Sequence, residues 1–279
     1  MPRSAAQITE EEQPQASTAT SACVDRNGAP VPPGQEIAWA DVIPPDQWAL
    51  YKQAIQAMRR AGVRFLVGGG FGLASYTGRW RNTKDMDFYI LPSDRERAMQ
   101  SLTEAGFADL YDSLPYDRGW IYRSTGGGII IDIIWSMANR RAEVDPVWFQ
   151  NAKSLLVRDE MIELVPAEEL LWCKLYVFQR DHCDWTDVLN LTYAVGPQID
   201  WDRVLRRLED DVPVLRALLT LFGWLSPSRW AKLPQKIREQ LGLHQPQDVS
   251  PEEEQARIRL LDSRAWFAAL QPRDRPLEV

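Results

Sequence analysis

Two aspartates in one short strand pattern constrain this chain more than any other feature. The segment Asp85–Ile90 has the sequence Asp-Met-Asp-Phe-Tyr-Ile. Because successive side chains of a strand point to opposite faces, Asp85 and Asp87 are predicted to share one face while Met86 and Phe88 pack on the other. Two carboxylates that lie close together repel each other unless a cation neutralises them, and Mg²⁺ prefers oxygen ligands of this kind.

A glycine turn stands before that strand. Residues 64–67 form an apolar run with strand character, which ends at three consecutive glycines at 68–70. Glycine allows the backbone to turn sharply or to approach a ligand closely. A short helix is predicted over residues 71–76, and its free N–H groups would face whatever lies over the glycines. On its own, a triple glycine is also compatible with an ordinary tight turn.

A third carboxylate lies further along the chain. Asp132 is the only charged residue of the apolar run 129–135, which is predicted to be a buried strand. An isolated carboxylate in such a place is costly unless it is hydrogen-bonded, bound to metal or paired. Taken singly, Asp132 could pair with an arginine or cap a loop, and Asp85 and Asp87 could lie on the solvated face of an edge strand. The order in which all these features occur favours a joint functional role.

This combination resembles the nucleotidyltransferase superfamily, which has the polymerase-beta-like fold. The resemblance rests on a glycine pair, an Arg-x-Thr-x-Asp-x-Asp segment and a later aspartate on a strand, and it extends over roughly residues 63–194. The most similar members are small bacterial proteins, which include antibiotic nucleotidyltransferases and nucleotidyltransferase-like toxins and antitoxins. The matching residues in this sequence are Gly69, Gly70, Arg81, Thr83, Asp85, Asp87 and Asp132.

The resemblance implies an α+β fold in which a mixed β-sheet flanked by helices is followed by an all-helical C-terminal domain. We predict that the nucleotidyltransferase-like core spans residues 39–160 and the helical domain residues 161–279. Residues 1–38 contain few large apolar side chains and are predicted to be a disordered tail. Further strands are predicted at 107–111 and 118–123, residues 136–158 are left unassigned, and helices are predicted at 44–61, 92–105, 166–180, 201–210, 214–225, 230–241 and 250–270.

The resemblance further implies that the protein transfers a nucleoside monophosphate from an NTP, with Mg²⁺ or Mn²⁺ as cofactor. Two ions can be held by carboxylates on neighbouring strands. Asp85 and Asp87 would hold one ion at the triphosphate. With Asp132 added, a second ion would lower the pKa of the acceptor hydroxyl. Direct acceptance of that proton by Asp132 is the alternative.

The remaining matches are expected to bind the triphosphate. The backbone amides of Gly69 and Gly70 and the hydroxyl of Thr83 would bind phosphate oxygens, while Arg81 and Lys174 would neutralise charge. These assignments come from the resemblance. Because three glycines are consecutive, the choice of Gly69 and Gly70 as the functional pair is a prediction in its own right.

Lys174 has two interpretations. It lies within an apolar stripe of the helix predicted at 166–180, so its stem can be buried while its ammonium extends into water. The resemblance implies instead that the stripe packs on the sheet and carries Lys174 to the nucleotide phosphates, a role that we favour. Asp184 and Asp187 follow, and we expect them to cap the next helix.

Composition excludes several classes of protein. The chain has 45% hydrophobic and 25% charged residues, a net charge of −7, and no apolar run long enough to cross a membrane. The acidic balance disfavours a general nucleic-acid binder. Three cysteines without a CxxC pattern give no disulfide framework, and we expect a cytoplasmic protein.

The acceptor remains open among three classes. The first, which we favour, is an enzyme that modifies a small molecule such as an antibiotic. The second is a toxin or antitoxin component that modifies a partner protein or a tRNA end. The third is a non-catalytic nucleotide-binding protein on the same fold. Three retained acids argue against this third class, because a site without a cation has no reason to keep carboxylates that repel each other.

Overall fold

A computed structural model describes residues 40–80, 83–180 and 182–261. The tail predicted at 1–38 and the site candidate Arg81 lie outside the described residues. So does the second half of the helix predicted at 250–270. None of the helices in the described part of the chain combines the length and the apolar character needed to cross a bilayer.

Seven strands form one mixed sheet. Their bounds are β1 Phe65–Val67, β2 Asp85–Ile90, β3 Ala108–Asp109, β4 Ile121–Gly126, β5 Ile129–Ile134, β6 Lys153–Val157 and β7 Glu160–Leu164. Their order across the sheet is β3-β4-β5-β2-β1-β7-β6. The central strand β2 pairs parallel with β5 and antiparallel with β1, while β1 also pairs parallel with β7. The two aspartates of β2 therefore lie near the middle of the sheet.

Helices flank this sheet and make up the C-terminal part. Within the described residues they are α1 Pro45–Arg60, α2 Gly69–Thr77, α3 Arg95–Glu104, α4 Pro146–Gln150, α5 Ala167–Leu175, α6 Trp185–Val195, α7 Trp201–Leu208, α8 Val212–Leu225, α9 Pro227–Trp230, α10 Gln235–Gln240 and α11 Pro251–Leu261. The predicted fold class, a mixed sheet flanked by helices with a helical C-terminal region, is confirmed.

The two faces of the sheet belong to different hydrophobic clusters. Met86 and Phe88 of β2 are fully buried in the cluster that contains α1 and α3. Tyr89 of β2 and Ile134 of β5 are buried in the other cluster, which includes α5, α6 and the helices that follow. Because strand side chains alternate, Asp85, Asp87 and Asp132 are on the same face as Tyr89 and Ile134. The carboxylates therefore face the helical region.

A two-residue turn fixes how β4 and β5 pair. Gly127 and Gly128 have φ angles of +59° and +84°, a backbone conformation that glycine adopts without strain. Gly126 pairs with Ile129, and the antiparallel register continues to Arg123 opposite Asp132. The turn therefore determines which residue of β4 stands beside the aspartate.

Several element bounds differ from the predictions. The helix predicted at 166–180 ends at Leu175, and beyond it Phe178 pairs with Cys183 in an antiparallel bridge. The helix predicted at 230–241 is interrupted, because Pro234 has no N–H to donate within a helix. The unassigned residues 136–158 contain α4 and β6. The predicted core ends at residue 160, but strand β7 continues the sheet to Leu164. The division into two domains stays a prediction.

Candidate active site

The face of the sheet that looks towards the helical region carries a row of charged side chains. Asp87 on β2 stands directly opposite Asp132 on β5, and Asp132 stands directly opposite Arg123 on β4. Asp85 lies two residues before Asp87 on the same face. The structure thus brings the three predicted acids to one surface and adds an arginine to them.

The electrostatics of the row are unfavourable without a bound cation. Burial, together with repulsion from Asp132 and Asp85, raises the pKa of Asp87 to about 8. Burial also raises the pKa of Asp132, although its contact with Arg123 opposes the rise. A site in which carboxylates bind protons this readily gains free energy when a cation replaces the proton.

Asp132 is held by a bidentate ion pair. Arg123 donates from Nε to Oδ1 at 3.0 Å and from Nη2 to Oδ2 at 2.9 Å. The Asp132 side chain is 4% exposed and that of Arg123 is 28% exposed. Pairing with an arginine was one of the alternatives that the sequence left open for Asp132. Such a fork-to-carboxylate contact fixes the orientation of the carboxylate as well as contributing energy.

The glycine turn packs tightly against the row. Gly69 begins α2 with a φ of +51°, and a Cβ built on it would lie 1.6 Å from the Oδ2 atom of Asp87. A Cβ on Gly70 would lie 3.2 Å from the side chain of Thr83. Gly69 is therefore required by the close approach of the Asp87 carboxylate, whereas a side chain at Gly70 would be tightly packed against Thr83. The N-terminus of α2 lies beside the Asp87 carboxylate.

Hydrogen bonds of Thr83 fix the backbone at the start of β2. Its Oγ1 accepts a hydrogen bond from the backbone N–H of Asp85 at 3.3 Å. Its carbonyl oxygen accepts from Nε2 of Gln47 on α1 at 2.9 Å. The predicted phosphate contact of Thr83 stays a prediction. Its observed contacts orient the strand that carries both aspartates.

Lys174 is neither exposed nor free. Its Nζ donates to Asp184 Oδ2 and to Asp187 Oδ2, each at 2.8 Å, and only 12% of its side chain is exposed. Interaction with these two carboxylates outweighs burial and raises the pKa of Lys174 to about 12. Its positive charge also acts on Asp87. The interpretation that the ammonium extends into water is wrong, and Lys174 lies close enough to the row to influence it.

The capping role expected of Asp184 is only half correct. Asp184 occupies the N-cap position of α6, but its side chain makes no capping hydrogen bond there. Its Oδ2 accepts from Lys174 instead. Asp187, whose side chain is 2% exposed, is the other partner of that ammonium. The two acids thus join α5 to α6 through one buried cation.

Comparison with known proteins identifies the family. Residues 47–222 match the model of a family described as uncharacterised nucleotidyltransferases. The chain belongs to this family. The resemblance inferred from the glycines and the three aspartates is thereby confirmed. No curated protein sequence matches this family member.

Solved structures of similar proteins show low sequence identity to this family member. The antibiotic-resistance factor ANT(2'')-Ia is 13% identical, with 62% of this chain and 95% of that chain covered and a TM-score of 0.43. The lincosamide antibiotic adenylyltransferase LnuA in its lincomycin-bound form is 15% identical, with 54% and 97% covered and a TM-score of 0.39. JHP933 from Helicobacter pylori is 13% identical, with 77% and 88% covered and a TM-score of 0.38.

The carboxylates of the row are the groups that could bind a metal ion in this protein. In the part of the chain that the structure describes, no group of three or more His, Cys, Asp or Glu residues is arranged to hold a metal ion. Asp85 and Asp87 nevertheless supply hard oxygen donors on one face, and the raised pKa of Asp87 shows that a cation there would relieve repulsion. These two residues fit a divalent ion. Asp132 is already engaged by Arg123.

Two residues of the site escaped sequence reasoning. Arg123 was placed in a predicted strand without a partner. Tyr51 lies within the helix predicted at 44–61, and burial raises its pKa to about 12, with Asp85 and Asp87 adding to that rise. The glycine turn at 127–128 was the signal that could have identified Arg123, because a two-residue turn dictates the pairs that follow it.

Proposed function

We propose that this family member is a metal-dependent nucleotidyltransferase that moves a nucleoside monophosphate from an NTP to a hydroxyl acceptor. A small molecule such as an antibiotic is the acceptor that we favour. The observation that carries the proposal is the row of Asp85, Asp87 and Asp132 on one face of the sheet beside the N-terminus of α2. Membership of a nucleotidyltransferase family supports it.

The chemistry can be assigned to residues of this chain. The acceptor oxygen attacks the α-phosphorus, the bond to the bridging oxygen of the β-phosphate breaks, and pyrophosphate leaves. Asp85 and Asp87 would hold a Mg²⁺ or Mn²⁺ ion, which would supply Lewis-acid stabilisation of the phosphate charge. Asp132, oriented by Arg123, accepts the proton of the acceptor hydroxyl. Oriented carboxylates of this kind accelerate proton transfer by about 10²- to 10⁴-fold.

The triphosphate would be bound by the elements that surround the row. The amides of Gly69 and Gly70 at the start of α2 offer unpaired N–H groups, which favour anions. Thr83 and Arg81 would add polar and cationic contacts. Lys174 has three N–H donors, of which Asp184 and Asp187 engage two. We assign the third to a phosphate oxygen.

The experiment that tests this function is incubation of the protein with Mg²⁺, each α-labelled NTP and candidate acceptors, followed by separation of pyrophosphate and labelled product. Label on a small molecule supports the favoured acceptor class, whereas label on RNA or protein selects the second. Asp132→Asn should lose transfer by at least about 100-fold. Asp109→Asn, an isosteric change on the same sheet outside the row, should retain it.

An absence of pyrophosphate and labelled product with every acceptor would contradict the proposed activity. If the protein also bound Mg²⁺ and NTP in that case, the non-catalytic alternative would be supported. Binding can be measured separately by calorimetry with an NTP analogue that cannot be cleaved between its α- and β-phosphates.

A further inference from the structure

The ion pair between Arg123 and Asp132 bears on how many divalent ions this site binds. Enzymes that use carboxylates on neighbouring strands can hold two ions about 3.5–4 Å apart, and a shared carboxylate then lies between them. In this chain both oxygens of Asp132 accept hydrogen bonds from one guanidinium. Arginine is effectively always charged and remains a cation at any working pH.

The geometry makes Arg123 part of the site. Arg123, Asp132 and Asp87 occupy successive positions across three neighbouring strands, and they point to the same face. The guanidinium contacts both oxygens of Asp132, and the charges of Asp85 and Asp87 also act on it, raising its pKa. Asp132 is nearly fully buried, so its position is set by this pair and by the two strands on either side.

The charges lead to the same conclusion. When ionised, the three acids carry three negative charges, and Arg123 neutralises one of them. Two negative charges remain, which a single divalent ion would balance. Lys174 opposes the rise in the pKa of Asp87, but its ammonium is shared by the two carboxylates of Asp184 and Asp187, so this group of three brings no net positive charge to the row.

We propose that this chain binds one divalent ion at Asp85 and Asp87, and that the guanidinium of Arg123 stands in place of a second ion at Asp132. The inference rests on the proposed function, since it concerns the cation of the same site. It predicts a metal stoichiometry that a two-ion site does not share. It also gives Arg123 a role that a purely structural ion pair would not have.

The test is a titration of the protein with Mn²⁺, in which free ion is measured by electron paramagnetic resonance and binding by calorimetry. The wild type should bind one ion. Arg123→Met removes the cation and frees both oxygens of Asp132, so this variant should bind a second ion. Its affinity for that second ion should exceed any weak second binding by the wild type at least about tenfold. Arg123→Lys keeps the charge and should bind one ion.

Two further variants serve as controls. Arg118→Met removes a guanidinium that pairs with Asp109, at a site outside the row, and should leave one ion bound. The double variant Arg123→Met with Asp132→Asn removes both members of the ion pair and leaves no unpaired charge, so it keeps the test open if Arg123→Met alone unfolds. It should bind one ion with wild-type affinity within about threefold.

Two ions bound to the wild type with similar affinity would overturn the inference. A folded Arg123→Met that binds only one ion would also overturn it. A wild type that binds no Mn²⁺ would overturn it together with the metal dependence of the proposed function. One ion on the wild type without transfer of nucleotide would refute only the proposed activity. Two ions with transfer would refute only the role of Arg123.

Discussion

Asp87 and Asp132 lie directly opposite each other on two parallel strands, whose backbones are about 4.8 Å apart; the Asp132 side chain is buried and Asp87 is partly exposed. Arg123 compensates only one of them. Burial and the neighbouring carboxylates raise the pKa of the other, Asp87, to about 8. This relationship makes the metal-free protein sensitive to pH and to cations, and both effects can be measured.

The metal-free protein should become less stable as pH rises. The folded-state pKa of Asp87 is about 8, above the value of about 4 for an unfolded chain, so the folded state binds more protons between these values. In the presence of a chelator, the melting temperature of the wild type should fall between pH 5 and 8 relative to Asp87→Asn. We expect at least about 2–4 °C, the shift that 1 kcal/mol produces in a protein of this size. Parallel curves for the two proteins would contradict the raised pKa.

Addition of Mg²⁺ and an NTP should raise the melting temperature of the wild type, because a ligand that binds only the native state stabilises it. A ligand at 100 times its Kd contributes about 2.7 kcal/mol. The double variant Asp85→Asn with Asp87→Asn should lose this rise. Asp94→Asn, a change at the start of α3, should keep it. An equal rise in the double variant would place the metal elsewhere.

Gly69→Ala should both destabilise the protein and weaken Mn²⁺ binding, because the new Cβ would occupy the place of the Asp87 carboxylate. Gly62→Ala is a matched control, since Gly62 has a φ of +65° but a Cβ there would meet nothing within 4 Å. Each change carries the conformational strain of a positive φ, about 1–3 kcal/mol. Denaturant unfolding should show a greater loss for Gly69→Ala, and only that variant should lose Mn²⁺ affinity. Equal losses would show that Asp87 moves aside freely.

Lys174→Met should destabilise the fold by about 3–5 kcal/mol, the usual cost of removing one member of a buried ion pair. The change removes the buried ammonium that Asp184 and Asp187 share. Lys236→Met removes an exposed lysine that pairs with Asp202 and should cost less than about 1 kcal/mol. Urea unfolding of both variants provides the comparison. Similar small losses would mean that Lys174 points into water, the interpretation that its structure excludes.

Local patterns predicted much of the sheet. The alternation of polar and apolar residues in Asp85–Ile90 corresponds to β2, and the continuous apolar run that contains Asp132 corresponds to β5. Both patterns are strong local signals of a strand. Helix ends were predicted less well. The end of α5 at Leu175 depends on the bridge between Phe178 and Cys183 and on the ion pair of Lys174 with α6. The helical pattern of the sequence does not reveal these contacts.

The composition of the site was harder to predict than its location. The three acids were identified from their types and order, since a carboxylate in an apolar strand demands an explanation. The partner of Asp132 depends on strand register, which no property of Arg123 alone reveals. The same holds for Lys174, whose partners follow it by 10 and 13 residues and meet it only after the chain has turned.

The turn at Gly127 and Gly128 has a consequence for how such a site can change during evolution. A single insertion or deletion that shifted the register of β4 against β5 by one residue would move every β4 side chain to the opposite face. Arg123 would then leave Asp132, although neither residue had been replaced. The metal requirement of a descendant protein could thus change through the length of a loop, at a position that comparison of catalytic residues alone would overlook.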